Sequence, residues 1–369
     1  MFMILLLSCI IIGLIALGKK LPAAPTAAGS MVMALGIFVH GIWQHLTGQP
    51  LTSLSARLLI IGIVLVWLYL LASYLTSIRR STFYEDHVAH PVERFAIGTW
   101  VAGTSALLMN LYTGFNADWL NETVHIMATL NLGLWLFYMG IVVQGWYKLA
   151  TDSHPQRIDS VILLPAVATQ SIVLMCHQVF QLPVGVWLSR TFIILGLLCY
   201  VIGVALMVWR YRRMEQRSVQ NWKITYCITY GSLAITGVAI SLTGAWSSGV
   251  SYGFWWASLI VLVIVESAET VRAIWRIRAY GWRTGVGRYH TAQWTRIFTL
   301  GMFYFLTIQT VQTATGNVIT MGLHNVILSV GTWIIGILLV MELIVWFQKS
   351  FMYHPAVPAP AAEHTHSKI

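Results

Sequence analysis

Long apolar runs separated by short polar loops recur along almost the whole chain. Each run is close to the roughly 20 residues that a helix needs to cross the hydrocarbon core of a bilayer. A membrane β-barrel would instead show strict alternation of apolar and polar residues. The pattern predicts an all-α polytopic membrane protein with eleven spans. The predicted spans are residues 2–18, 28–46, 57–78, 95–114, 123–147, 159–182, 187–209, 224–246, 253–275, 295–315 and 325–347.

The ten spans after the first alternate between two compositions. One kind is rich in small residues, serine and threonine, and the other is bulky and aliphatic or aromatic. The small-residue kind contains GSMVMALG (29–36), GTWVAGTS (98–105), LLPAVATQS (163–171), YGSLAITG (230–237) and IFTLGMF (297–303). Because polar groups in hydrocarbon are costly without partners, these spans should face protein or water. We therefore expect five helical hairpins, arranged as an inner and an outer ring around a central pore, and one extra N-terminal helix.

The composition agrees with this class, since 57% of the residues are hydrophobic and only 9% are charged. The net charge of +10 is chiefly a topology signal: all lysines and arginines except Arg57 and Arg190 fall in alternate loops or in the C-terminal tail. Cytoplasmic loops retain Lys and Arg. We therefore expect a cell (inner) membrane location, with the N-terminus outside, the C-terminus cytoplasmic and all five inner helices running the same way.

The spans divide the chain into three parts. The predicted parts are an N-terminal anchor helix and linker at 1–27, a ten-helix transporter or channel domain at 28–348 and a flexible cytoplasmic tail at 349–369. In the eighth of the ten later spans, Glu266 and Glu269 are followed by Arg272 and Arg276 at spacings of three and four residues, which favour ion pairs. We expect such a pair within the helix or with a neighbouring helix. Away from their ends the inner spans carry no charged residue, which argues against proton coupling through a buried carboxylate.

Hydroxyl, amide and proline positions of the inner spans are candidates for the pore wall, where a hydroxyl can donate a hydrogen bond to an anion. The candidates are Thr104, Ser105, Pro165, Thr169, Gln170, Ser232 and Thr236. Pro165 is expected to kink its helix. Two alternatives remain open: a hydroxyl can bond back to its own helix, and small residues also let helices pack closely.

The inner segments also resemble a known family. RFAIGTWVAGTSAL (94–107) is similar to the third helix of the tellurite-resistance/dicarboxylate transporter family, which includes the plant slow anion channels. LLPAVATQS, YGSLAITG and IFTLGMF resemble its fifth, seventh and ninth helices, in the same order. The resemblance covers roughly residues 28–347. It implies five hairpins around a pore, frequent assembly as trimers, and passage of small anions of the halide, nitrate, carboxylate or oxyanion class.

The resemblance further implies that a phenylalanine from the ninth helix plugs the pore. Phe298 occupies that position, and Phe305, seven residues later, shares its helical face. Two departures stand out: the family's proline after this phenylalanine is Thr299 here, and the extra N-terminal helix is not part of the ten-helix plan. Packing of Phe298 against a neighbouring helix is the alternative.

Two rival functions remain open. Histidines cluster towards the outer side, and His40 and His177 on inner helices could serve a haem- or metal-binding membrane subunit; a structural subunit of a membrane complex is the other. No histidine-pair metal motif, phosphate loop or catalytic triad pattern is present, and the four cysteines stand singly. We therefore expect no cofactor, no enzymatic activity and no nucleic-acid partner, and small anions and the lipid bilayer as partners.

Overall fold

The computed structural model describes residues 24–115, 117–151, 158–181, 186–213, 222–311, 313 and 318–349. Within these ranges the chain forms helices and contains no β-strand. Ten long helices follow one another. Their bounds are α1 Thr26–Thr47, α2 Leu54–Arg79, α3 Gly98–Gly114, α4 Asp118–Thr151, α5 Ser160–Val179, α6 Val186–Arg213, α7 Ile224–Thr243, α8 Ser248–Gly285, α9 Ala292–Thr310 and α10 Val318–Phe347.

These helices match the ten later predicted spans in order. Eight of the described helices are long and apolar enough to cross a membrane, and only the shorter α3 and α9 fall outside that set. The chain is therefore an all-α polytopic membrane protein, as predicted. The predicted first span (2–18) and nearly all of the predicted tail (350–369) lie outside the described residues.

The odd-numbered helices form a closed inner ring. Helix α1 packs against α3, α3 against α5, α5 against α7, α7 against α9, and α9 returns to α1. In the most apolar stretch of α1, α5 and α7, 72%, 83% and 72% of the residues are buried. The predicted alternation of inner and outer helices is confirmed by this packing.

The even-numbered helices form the outer ring and lie in the grooves between inner helices. Helices α2, α4, α6 and α8 each pack against the inner helix before them and the one after them, and α10 packs against α9. In the corresponding stretches only 17% to 39% of their residues are buried. The bulky aliphatic side chains of these helices therefore face outwards, where lipid takes the place of protein.

Small residues set the spacing within the inner ring. A Cβ on Gly29 would lie 2.7 Å from Thr99 Oγ1, and one on Gly36 would lie 2.8 Å from the Cβ of Ala106. These two contacts also show that α1 and α3 run in the same direction. Close approach through small residues is the packing that membrane helices use.

Four inner helices begin in the same way, with a short 3-10 turn that continues into the α-helix. These turns are Thr26–Ala28, Glu93–Ile97, Ser160–Leu163 and Ile224–Cys227. Pro165 follows the third turn and lies in the first turn of the α-helical part. A proline is well tolerated in the first turn of an α-helix. The structure thus places Pro165 where the 3-10 turn passes into the α-helix, and the kink stays a prediction.

Candidate functional site

A cavity lies inside the inner ring, and all five inner helices contribute to its wall. Most of the wall is apolar, with Ala102 and Ala106 of α3 and Met302 of α9 among its residues. The polar residues of the wall are His40, Asn110, Ser171 and Gln178. None of the described residues that line the cavity is an aspartate, glutamate, lysine or arginine. The cavity is thus a neutral, mainly apolar space on the ring axis.

Phe298 and Phe305 both line this cavity. They lie on the same face of α9, two turns and about 10 Å apart along the helix. Phe298 is 4% exposed. The Phe305 ring meets α1, because a Cβ on Gly41 would lie 2.9 Å from Phe305 Cδ2, and its ring centre is 5.8 Å from that of His40. The two predicted gate residues therefore reach the cavity at two levels, and their gating role stays a prediction.

Two polar residues of the wall, His40 and Asn110, have buried atoms without a hydrogen-bond partner among the described residues. Asn110 donates hydrogen bonds to the carbonyl oxygens of Gly36 (3.0 Å) and Ala106 (2.8 Å). His40 lies in a π-helical stretch of α1, Phe38–Trp43, and such stretches are frequent at functional sites. The atoms without a partner are His40 Nδ1 and Asn110 Oδ1. These two buried atoms therefore have unused hydrogen-bonding capacity beside the cavity.

Several threonines of the inner helices are bound by tryptophans of the outer ring. In each case the indole N–H of an outer helix donates to a threonine hydroxyl on the next inner helix. The pairs are Trp67–Thr104 at 2.9 Å, Trp135–Thr169 at 3.1 Å and Trp255–Thr307 at 2.9 Å. Two of the predicted pore-lining residues, Thr104 and Thr169, therefore fasten the outer helices to the inner ring.

Ser105 and Gln170 make the same kind of contact. The Asn131 side chain of α4 donates to Ser105 Oγ at 2.9 Å. Gln170 Nε2 donates to the carbonyl oxygen of Ile193 in α6 at 3.1 Å. Both polar side chains are fully buried, so they too join the inner helices to the outer ring.

Ser232 and Thr236 bond back to their own helix. Ser232 Oγ donates to the carbonyl oxygen of Ile228 at 2.8 Å, and Thr236 Oγ1 donates to that of Ser232 at 2.7 Å. The seven residues predicted to line the pore are absent from the described residues that line this cavity. Their role in a conduction path stays a prediction. Among the wall residues named above, Phe298 and Phe305 were predicted and His40 was named only as a possible haem or metal ligand. The sequence reasoning missed Ala102, Ala106, Asn110, Ser171, Gln178 and Met302.

Comparison with known families gives the decisive observation. A family sequence model described as voltage-dependent anion channel (SLAC1) matches residues 24–348. The chain belongs to the voltage-dependent anion channel family. This membership confirms the predicted resemblance, because the family includes the tellurite-resistance/dicarboxylate transporters. Membership implies anion channel activity. A comparison with curated protein sequences finds no significant match.

The two arginines on the predicted outer side of this channel have a shared structural role. Arg57 Nε donates to the carbonyl oxygen of Gly114, at the end of α3, at 2.9 Å. Arg190 Nε donates to the carbonyl oxygen of Ala245, just beyond α7, at 2.6 Å. A cation at the C-terminal end of a helix complements the partial negative charge there. The two basic residues that depart from the alternation of loop charge thus cap inner helices.

The two histidines of the metal hypothesis lie in different settings. His40 belongs to the cavity wall, and His177 is exposed near the end of α5. Within the described ranges there is no group of three or more His, Cys, Asp or Glu side chains placed to hold a metal ion.

The acidic residues of α8 were only partly anticipated. Glu269 pairs with Arg272 on the same helix, with contacts of 2.6 and 2.9 Å, as predicted. Glu266 instead pairs with Arg296 of α9, and Arg276 donates to the carbonyl oxygen of Gly285 at 2.8 Å. Sequence spacing could not reveal the Glu266 pair, because its partner lies 30 residues away on another helix.

Proposed function

We propose that small anions cross the membrane through the cavity of the inner ring and that Phe298 and Phe305 close this path. The observation that carries the proposal is the cavity wall, to which all five inner helices contribute together with both phenylalanines. A phenylalanine ring on the axis excludes water and ions by bulk, and it leaves the axis through a change of rotamer or a small helix rotation.

The chemistry of the wall favours weakly hydrated ions. With no fixed charge on the described wall residues, an anion would meet only weak donors such as the Gln178 amide and the His40 ring, because the Ser171 hydroxyl donates to the carbonyl oxygen of Ala168 at 2.7 Å. Five inner helices that run the same way place their partial positive charges at one face of the membrane. This arrangement supports downhill passage of halide, nitrate, small carboxylates or oxyanions.

The predicted membrane topology and assembly form part of this proposal. The alternation of basic loops supports an inner-membrane protein whose inner helices begin at the cytoplasmic face. The family resemblance supports a homotrimer in which each subunit has its own pore. Crosslinking of the purified protein in lipid nanodiscs should give three subunits, and a monomer would refute that assembly.

The gate is tested by truncating each phenylalanine. Phe298→Ala and Phe305→Ala should each raise anion flux severalfold in proteoliposomes, and the double variant should exceed both. Phe137→Ala, on the lipid-facing side of α4 and 56% exposed, is the control and should leave flux unchanged. Unchanged flux in both single variants would remove the gate. An absorption spectrum of the same protein tests the haem alternative, since a Soret band would support it.

A further inference from the structure

A chain of hydrogen bonds joins three helices at the beginning of α9. The Thr299 hydroxyl lies 3.1 Å from the hydroxyl of Tyr230 and 2.9 Å from the carbonyl oxygen of Arg296, so its one proton is shared between these two acceptors. Tyr230 in turn donates to Glu266 Oε1 at 2.9 Å. Arg296 donates to Glu266 Oε2 through Nε at 2.9 Å and also through its terminal nitrogen. We call these four residues the Glu266 network. It links inner helices α7 and α9 to outer helix α8.

The network is well shielded from solvent. Tyr230 is 0% and Thr299 is 1% exposed, and the side chains of Glu266 and Arg296 are 18% and 21% exposed. Hydrogen bonds to ionised groups are strengthened where water is scarce, and loss of one partner leaves the other group unsatisfied. The network therefore resists movement of α9 relative to α7 and α8.

The position of the network relative to the gate gives it a further role. Arg296 lies two residues before Phe298 and Thr299 lies one residue after it, so the chain is held on both sides of the phenylalanine. At 100° per residue, Arg296 and Thr299 project away from the Phe298 direction. Gly231 adds a steric constraint, because a Cβ there would lie 2.7 Å from Thr299 Cβ. The rotation of α9 about its axis is thereby fixed.

We propose that the Glu266 network is the positioning device that turns Phe298 into the cavity. Tyr230, Glu266 and Thr299 act through the orientation of α9 and do not touch the permeating ion. When the network is weakened, α9 rotates more freely and Phe298 leaves the axis for part of the time. This inference rests on the proposed gating role of Phe298.

Helix α8 also supplies a matched control. Glu269 and Arg272 lie one turn beyond Glu266, form a similarly shielded ion pair and are 6% and 11% exposed at their side chains. Their hydrogen bonds lie within a single helix, and the link of Glu269 to α9 is a charge attraction for Arg296 without a hydrogen bond among the described residues. Loss of the Glu269 pair removes a comparable charge and comparable hydrogen bonds, but it breaks no hydrogen bond to α9, the helix that carries Phe298.

The test compares Glu266→Gln with Glu269→Gln by anion flux in proteoliposomes, each in the wild-type and the Phe298→Ala background. We expect Glu266→Gln to raise flux severalfold in the wild-type background and to add nothing in the Phe298→Ala background. Glu269→Gln should leave flux unchanged in both. Should Glu266→Gln fail to fold, Tyr230→Phe and Thr299→Val remove single hydroxyls and should give the same pattern with a smaller rise.

Three results would overturn the inference. If folded network variants leave flux unchanged while Phe298→Ala raises it, the gate stands and the positioning role falls. If network variants raise flux equally in both backgrounds, the network acts on conduction independently of Phe298. If Phe298→Ala alone has no effect, the proposed gate has failed, and the positioning role falls with it.

Discussion

Helices α5 and α10 both cross the membrane, yet they differ in how much of them is buried. In their most apolar stretches 83% of α5 and 17% of α10 are buried. Helix α5 uses its threonine and glutamine to bind the outer helices on either side of it, whereas α10 presents large side chains such as Trp333, which is 65% exposed. These two polar residues of α5 thus join the inner ring to the outer ring.

The comparison changes how a membrane helix rich in small and polar residues is interpreted. Serine and threonine were expected on the pore wall, but the hydroxyls of Thr104, Thr169 and Ser105 accept hydrogen bonds from outer helices. The cavity itself is mostly apolar. The polar residues of an inner helix therefore have two roles: some bind the outer ring and others line the cavity. Composition alone does not distinguish the two.

The largest expected effect on stability comes from a change that disturbs the close spacing of the inner helices. Gly231→Ala would place a methyl group against the Thr299 side chain, and overpacking of this kind should lower the free energy of unfolding by about 2–3 kcal/mol. Gly140→Ala on outer helix α4, with no atom within 4 Å of the new Cβ, should leave it unchanged or raise it slightly. Unfolding in detergent mixtures of increasing SDS fraction measures the free energy of unfolding of both variants. Equal losses would contradict the claim that close packing is confined to the inner ring.

The next effect concerns the tryptophan–threonine contacts. Trp135→Phe removes the indole N–H that binds Thr169 and should lower the free energy of unfolding by about 1 kcal/mol. Trp333→Phe removes an indole on the exposed side of α10 and should change it much less. The same SDS titration applies, and a larger loss at Trp333 would argue against ring fastening.

A smaller effect is expected at the helix caps. Arg57→Gln removes the cation near the last carbonyl groups of α3 and should lower the free energy of unfolding by about 0.5 kcal/mol. Arg57→Lys keeps the charge and should recover part of that loss. A loss that persists fully in the lysine variant would assign the effect to side-chain packing, including the contact of Arg57 with the Phe115 ring.

The smallest effect is expected at Thr236. Its hydroxyl bonds only to the carbonyl oxygen of Ser232 among the described residues, so Thr236→Val should change the free energy of unfolding by less than about 0.5 kcal/mol. Anion flux in proteoliposomes should also stay unchanged. A clear fall in flux would restore Thr236 to the pore wall.

Composition and loop charge were sufficient to predict the ten helices, their order and the two rings, because lipid and protein environments select different residues. The orientation of individual hydroxyls was not predictable. Helical periodicity gives the relative directions of side chains. The 3-10 turns that begin four of the inner helices and the π-helical stretch Phe38–Trp43 in α1 change those directions. Partners such as Trp135 for Thr169 lie 34 residues apart on different helices, which a single sequence does not pair.

The most direct test of conduction through the inner-ring cavity is the reversal potential of Phe298→Ala protein in a planar bilayer with unequal chloride concentrations. The account predicts a larger conductance than that of the wild-type protein, with current reversing near the chloride equilibrium potential. Reversal near the cation equilibrium potential, or a conductance equal to that of the wild-type protein, would contradict it.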